Sequence, residues 1–256
     1  MSGFSTPAIL LRRIEHGDYD LIVTFLTRHR GKVSVVAKNA KKSRKRFSGL
    51  LEPFTALNVV CRSTRGGSMP ILQEASMQEP FANIRADAVK TLYAAYWSEL
   101  LHGWMEEGKP QQRVYRLLYY ALGALDQDLS GPAEMSIIFQ MRFLTIAGLA
   151  PGLEACGICR TKLDAIAAHS VIFDLEKGGI VCNGCAADTD RTRLRISKGT
   201  IKQLSWIREN DIRAVGRLRF TGTAVKEGLA AMEAFLPYHL GRRPRSLRVI
   251  AQMRGW

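Results

Sequence analysis

The stretch Leu21-Ile22-Val23-Thr24-Phe25-Leu26-Thr27, a turn at Arg30-Gly31, and the return Lys32-Val33-Ser34-Val35-Val36-Ala37 decide the N-terminal fold. The first run is mostly β-branched and aromatic. The second partly alternates polar and apolar residues, as a hairpin partner with one buried face does. Upstream, the apolar run Ala8-Ile9-Leu10-Leu11 precedes the turn signal Glu15-His16-Gly17-Asp18. Downstream, Thr55 to Val60 alternates again, Gly66-Gly67 turns the chain, and Met69 to Ala75 supplies a last strand. Five short strands in about seventy residues predict a small β-barrel over residues 1–79, with an OB-fold as the leading candidate.

The pattern then becomes helical over 80–152. Leu92, Tyr96, Leu100 and Trp104 form one apolar stripe, in a helix ended by Lys109-Pro110. Val114, Leu117, Leu118, Ala121 and Leu125 form a second. Ile137, Ile138, Met141, Leu144 and Ile146 form a third, opened by Pro132 and stopped by Gly148 and Pro151. Residues 190–256 are expected to be helical again, packing with the middle helices. Ser197 is a candidate N-cap for Ile201, Leu204 and Ile207. Thr223 is one for a helix carrying Val225, Leu229, Met232 and Phe235, with Pro237 in its end region.

Between these helical regions, at 153–189, lie two CxxC pairs, Cys156/Cys159 and Cys182/Cys185, separated by twenty-two residues. Each pair sets two thiolates at the spacing one metal ion needs, and together they complete a tetrahedral sulfur shell. A closed shell leaves no position for water or substrate, so the expected cofactor is one structural Zn2+. An iron–sulfur cluster or bare thiols are the alternatives, and His169 is a minor alternative ligand. Cys61 follows Asn58-Val59-Val60 and is expected as a buried strand residue.

The chain has 256 residues and a formal net charge of +14, which asks for a polyanionic partner. From Leu21 to Leu51 there is no acid, while Arg28, Arg30, Lys32, Lys38, Lys41, Lys42, Arg44, Lys45 and Arg46 all fall there. The run from Lys38 to Arg46 lies between two predicted strands, so it is expected as an exposed loop. Lys38, Lys41, Lys42, Arg44, Lys45 and Arg46 are the first candidates for phosphate contacts, and Arg28 and Arg30 the second. Phe47 and Phe54 either stack on a base or pack in the core. Further basic stretches are Arg191, Arg193, Arg195, Lys198 and Lys202, then Arg242, Arg243, Arg245, Arg248 and Arg254.

No GxxxxGK[ST], HExxH or GxSxG motif is present, and the histidines are scattered, so the protein is not expected to be an enzyme. No apolar run is long enough for a membrane span and no secretory leader is visible, so the expected setting is cytoplasmic, with no membrane partner. An RNA-binding or ribosome-associated factor would use the same barrel and zinc module. A zinc-stabilised nuclease or transferase would need carboxylates grouped for a second metal, and none is found.

The order of basic barrel, helical block, four-cysteine module and helical tail resembles the RecO family of bacterial DNA repair and recombination mediators. Several stretches carry the resemblance: Leu10, Leu11, Gly17 and Asp18; Leu21 to Phe25, Thr27 and Gly31; Val35-Val36-Ala37-Lys38 with its basic loop; and Gly49-Leu50-Leu51-Glu52-Pro53-Phe54. Near the end, Tyr238-His239-Leu240-Gly241 and Arg245-Ser246 look like a closing motif. The resemblance implies binding of single- and double-stranded DNA, annealing of complementary strands, loading of RecA onto SSB-coated DNA, and a nucleoid-associated location. It also implies RecR and the SSB C-terminal tail as partners. Arg113 and Arg116 are candidate members of a basic pocket for that acidic tail; the alternative is that they simply face solvent.

Overall fold

The structure, a computed structural model, describes residues 3–64, 69–186 and 192–254. The expected turn at Gly66-Gly67, the end of the 153–189 segment and Arg191 lie outside these residues. The chain divides into two compact units, Met1–Gln127 with Pro244–Trp256, and Asp128–Arg243.

The first unit opens with β1 (Gly3–His16), β2 (Asp20–Thr27), β3 (Gly31–Ala37), β4 (Ala56–Arg62) and β5 (Ile71–Glu79). They close into a barrel in the order β1-β2-β3-β5-β4, the OB-fold expected from the strand pattern. Strand β1 makes closure possible. Its first half pairs with β4, from Gly3 opposite Arg62 to Ile9 opposite Ala56. Its second half pairs with β2, from Ala8 opposite Thr27 to His16 opposite Asp20, with a register shift between Leu10 and Arg12. One long strand with an irregularity thus replaces the short one read from Ala8 to Leu11. Such bends let a strand turn a barrel corner.

The barrel core takes the inward residues of the alternating strands, including Ala8, Leu10, Val23, Phe25, Val35, Leu57, Val59, Cys61 and Leu72. Ile9, Leu26 and Ala56 lie on the other face of the wall and are also fully buried. Helix α2 (Ala88–Trp104) packs on β1, which accounts for the apolar residues on both faces of the Ala8 to Leu11 run.

The other helices of this unit are α1 (Ala82–Ala86), α3 (Gln112–Asp126) and α8 (Arg245–Arg254). Asp87 caps α2 by accepting from the Lys90 backbone N–H. In α2 the buried face is Tyr93, Ala94, Tyr96, Trp97, Leu100 and Leu101, so it is rotated from the expected stripe. Leu92 and Trp104 are only half-buried. The helix ends at Trp104, before Lys109-Pro110. The α3 stripe is buried as expected. Glu99 of α2 caps α8 across space, accepting from the Arg245 and Ser246 N–H groups at 2.8 and 3.0 Å.

The second unit contains α4 (Pro132–Ala147), β6 (Ser170–Asp174), β7 (Gly179–Val181), β8 (Arg193–Ser197), α5 (Lys198–Glu209), α6 (Ile212–Val215) and α7 (Gly222–Leu240). Pro132 opens α4 and Gly148 ends it in a left-handed conformation. Ser197 caps α5 through the Thr200 N–H. The cap of α7 is Thr221, not Thr223, and the helix continues past Pro237 to Leu240. Strand β8 was not foreseen. Its Arg193-Leu194-Arg195-Ile196 carries just one fully buried side chain, Ile196, so the apolar signal was too thin. It flanks the β6–β7 hairpin in an antiparallel sheet of order β7-β6-β8. Phe173 of β6 meets Phe235 of α7 with ring centroids 5.4 Å apart. The four segments read from sequence thus regroup: α4 stands with the cysteine segment and α5–α7, while α8 stands with the barrel.

The turn between β2 and β3 is pinned to the end of α2. Lys32 Nζ donates to the His102 carbonyl at 2.8 Å, and the Gly108 N–H donates to the Lys32 carbonyl at 3.0 Å. Gly31 has a φ of +66°, and a Cβ there would run into the Lys109 backbone carbonyl. Gly49, at a φ of +68°, has open space around it. Gly49→Ala should therefore cost about 1 kcal/mol, from backbone strain alone. Gly31→Ala should cost about 3 kcal/mol or more, because backbone on both sides must move. Urea unfolding followed by the fluorescence of buried Trp97 measures both, and equal costs would contradict the close approach.

Candidate nucleic-acid interface and metal centre

The basic run follows β3 as expected and forms the connection to β4. It is not a free linker. Phe47 and Leu51, 4% and 3% exposed, join the barrel core cluster, with Ala40 and Leu50 packed against it. Phe54 is 5% exposed, which together with Phe47 corrects the stacking alternative: both rings are core. These anchors fix where the intervening cations sit.

The cations differ in how far the fold already uses them. Lys41 Nζ pairs with Glu15 at 2.8 Å and donates to the Gly17 carbonyl at 3.2 Å. The Lys41 ammonium holds the Glu15 carboxyl below the usual carboxylate range. Lys42 Nζ lies 3.5 Å above the Tyr19 ring. Arg46 donates to the Lys38 carbonyl and lies over Phe47. Lys38, Arg44 and Lys45 are exposed, and among the described residues no carboxylate pairs with them. Tyr19, 43% exposed beside this loop, was missed by sequence reasoning. Its position directly after Gly17-Asp18, at a hairpin tip, was the available signal. A cavity of about 400 Å³ beneath the loop is lined by Arg13, Glu15, Lys41, Ser43, Phe47 and Glu52 among others.

Arg28 and Arg30 sit in the turn at the far end of β2. Arg30 lies 4.5 Å over the Phe4 ring. Arg28 shares a cavity of about 320 Å³ with Pro7, Gln78, Tyr115, Arg116 and Tyr119. Arg116 was expected beside Arg113 in an acidic-tail pocket. Both are exposed on α3, but Arg113 does not line this cavity.

In the second unit the four cysteine sulfurs lie within 4.8 Å of one another. Thiolates 2.3 Å from a central tetrahedral ion are separated by about 3.8 Å, so the cluster fits a single ion. The Cys159 and Cys182 sulfurs are 3.6 Å apart. Both CxxC turns are built alike: the Arg160 N–H donates to the Cys156 carbonyl and the Ala186 N–H to the Cys182 carbonyl, each at 3.0 Å. Cys156 Sγ accepts from the Cys182 N–H at 3.3 Å and the Ile158 N–H at 3.5 Å. Backbone donors aimed at sulfur favour the thiolate. Hydrogen bonding from Thr161 brings the Cys159 thiol down to about 6. Cys185, facing Cys182 and Cys159, is pushed up to about 12. The set offers four sulfurs around one point, the arrangement of a closed metal shell.

Residues 1–81 match the family described as Recombination protein O N terminal, and residues 85–248 match Recombination protein O C terminal. The chain belongs to the RecO family. It is 44% identical over 261 residues, 100% of both chains, to the DNA repair protein RecO of Desulfosudis oleivorans. It is 39% identical to the DNA repair protein RecO of Desulfatibacillum aliphaticivorans, over 99% of this chain and 98% of that one. To the DNA repair protein RecO of Anaeromyxobacter dehalogenans it is 35% identical, with the same coverage.

The second basic stretch of this RecO-family chain is largely committed to its own fold. Arg193 pairs at 3.0 Å with Asp174, which is 2% exposed. Lys202 pairs with Asp164 at 2.6 Å, and Lys198 donates to the Ile166 carbonyl at 2.7 Å. The third stretch divides between the units, with Arg242 and Arg243 in the second and Arg245, Arg248 and Arg254 on α8. Among the described residues no helix is long and apolar enough to cross a membrane.

Anchoring of the loop is open to direct test. Phe47→Ala should lower the stability of the barrel unit by about 3 kcal/mol, the ordinary cost of emptying a buried phenylalanine site. A change within 0.5 kcal/mol in chemical unfolding, as expected for a solvated surface position, would mean that the loop is not anchored.

Proposed function

We propose that this protein is a DNA repair protein that binds single- and double-stranded DNA and anneals complementary strands. It also helps to load RecA onto SSB-coated DNA. RecR and the acidic C-terminal tail of SSB are its protein partners, and its setting is the cytoplasm, on the nucleoid. It works without enzymatic chemistry: cations neutralise two polyanions so that their bases can pair. The observation that carries this reading is the set Lys38, Arg44 and Lys45. They are exposed and without a carboxylate partner among the described residues, on a loop whose Phe47 and Leu51 are buried in an OB barrel core. Membership of the RecO family, with similarity over the full length of the chain, supports the annealing and RecA-loading roles.

Cys156, Cys159, Cys182 and Cys185 would hold one zinc ion, which would supply no reactive position and would tie the two CxxC turns together. Each ligand must lose its proton, so affinity falls as pH drops. Cys182→Ser should abolish the single equivalent of zinc found by elemental analysis of protein purified without chelator. It should also speed hydrogen exchange across residues 153–186 and leave the barrel amides protected. Zinc-free parent protein whose four thiols titrate freely would remove the metal from this reading.

Lys38→Glu, Arg44→Glu and Lys45→Glu together should weaken binding to every DNA sequence about equally, because phosphate contacts carry no base information. The dependence of log affinity on log salt should flatten by about 0.7 for each single-strand phosphate that is no longer neutralised. Annealing of fluorescent complementary oligonucleotides by the parent should proceed without ATP, and should slow in the triple variant. Parent protein that anneals nothing but binds structured RNA tightly would favour an RNA-binding role instead.

A further inference from the structure

The cavity at the other end of the barrel has a composition that the basic loop lacks. We propose that it is a second nucleotide-binding site, holding one nucleotide of single-stranded DNA with its base against Tyr119 and its phosphate between Arg28 and Arg116. The proposal rests on the DNA-binding reading above and deepens it. The cavity of about 320 Å³ is lined by Pro7, Arg28, Gln78, Tyr115, Arg116 and Tyr119, a volume at the lower end for ligand pockets.

Three observations favour a nucleotide. First, Tyr115 and Tyr119 form an aromatic wall, with ring centroids 6.3 Å apart and planes 25° from parallel. Phe81 braces Tyr119 edge-on at 5.6 Å, so the half-buried ring is held in place as a stacking surface must be. Second, Arg28 and Arg116 are exposed, and among the described residues neither has a carboxylate partner. Planar guanidinium groups suit a phosphate held from two sides. Third, the Gln78 carboxamide donates to Asn58 Oδ1 at 3.0 Å, which orients it while leaving its carbonyl free for the edge of a base. Burial pushes the Tyr115 hydroxyl up to about 12 and raises Tyr119 too, with Glu79 adding to the latter. Both therefore remain neutral donors at physiological pH. An acidic peptide would be served by the two arginines but would leave the carboxamide edge unused.

The position separates this site from the loop. Tyr19, beside the loop, and Arg28, in the cavity, flank the eight residues of β2. At about 3.3 Å per residue they stand roughly 30 Å apart, farther than one dinucleotide step reaches. One barrel thus offers cations at both ends, and a short strand occupies one end without filling the other.

The test is photo-crosslinking of the full chain to a tetranucleotide carrying bromodeoxyuridine, with adducts mapped by mass spectrometry. The variants are Arg28→Ala with Arg116→Ala, both at exposed positions, and the triple loop reversal described above. The parent should yield an adduct on Tyr119 or Tyr115. That adduct should fall about fivefold or more in the double arginine variant and persist in the loop variant. Parent protein that binds longer DNA but gives no adduct there overturns the cavity alone; a parent that binds no DNA overturns both readings. An unchanged adduct in the arginine variant also overturns the proposal. So does an acidic, aromatic-ended peptide that binds the parent, loses affinity in the arginine variant and is not displaced by the tetranucleotide, since the occupant would then be a peptide.

Discussion

Strand β1 must serve two neighbours at once, and the barrel depends on it. Its N-terminal half hydrogen-bonds β4 and its C-terminal half hydrogen-bonds β2. A strand can do this only if it bends, and the register shift between Leu10 and Arg12 is where it does so. At the same place the Leu10 N–H donates to the Thr55 carbonyl and the Leu10 carbonyl accepts from the Phe54 N–H. The bend is thereby tied to the segment that closes the basic loop. Closure removes the sheet edges that would otherwise invite pairing with another chain. It also fixes the two ends of β2, where the exposed cations are presented.

A net charge of +14 says little until it is known which cations the fold has already used. Arg193, Lys198, Lys202 and Lys41 face carboxylates or carbonyls within the protein. Arg193 is the strongest case, because Asp174 is almost fully buried and would be left as an uncompensated charge without it. Arg142 donates to three carbonyls at the end of α5, those of Ile207, Arg208 and Asn210, and serves as its C-terminal cap. Exposed cations without a carboxylate partner among the described residues include Lys38, Arg44 and Lys45 on the loop between β3 and β4 and Arg28 and Arg116 at the Tyr119 cavity, and also others such as Arg217, Arg242 and Arg248. Formal charge thus overstates the number of cations free to meet a polyanion.

The barrel was legible because alternation and β-branching agree there. Val23, Phe25 and Val35 point inward at the period the sequence shows, and Gly31 stands where the turn needs a positive φ. The four cysteines were legible because their spacing is itself the geometry. The α2 face was misread because the helix is apolar nearly all round: Tyr93 and Trp97 are as buried as Tyr96 and Leu100, so no single stripe could be chosen. Strand β8 hid behind its arginines. The Tyr119 cavity was beyond reach for a different reason. Pro7, Gln78 and Arg116 are distant in sequence, and only the packing of α3 against the barrel-derived segment around Phe81 gathers them.

On the DNA-binding reading proposed for the basic loop, its aromatic and aliphatic residues decide how its cations meet a strand. A disordered basic tail neutralises phosphates, but it loses conformational entropy on every encounter. Here Phe47 and Leu51 have been ordered by folding, the Ser43 hydroxyl accepts from the Arg46 and Phe47 N–H groups, and Lys41 is clamped between Glu15 and Gly17. That arrangement leaves only the side chains of Lys38, Arg44 and Lys45 to be ordered on binding. Annealing needs such restraint on both sides: strands must be held well enough to cancel repulsion and loosely enough to slide into register. On the proposed reading, exposed ammonium and guanidinium groups on a fixed backbone would meet both demands, because a phosphate contact is weak, salt-screened and indifferent to base sequence.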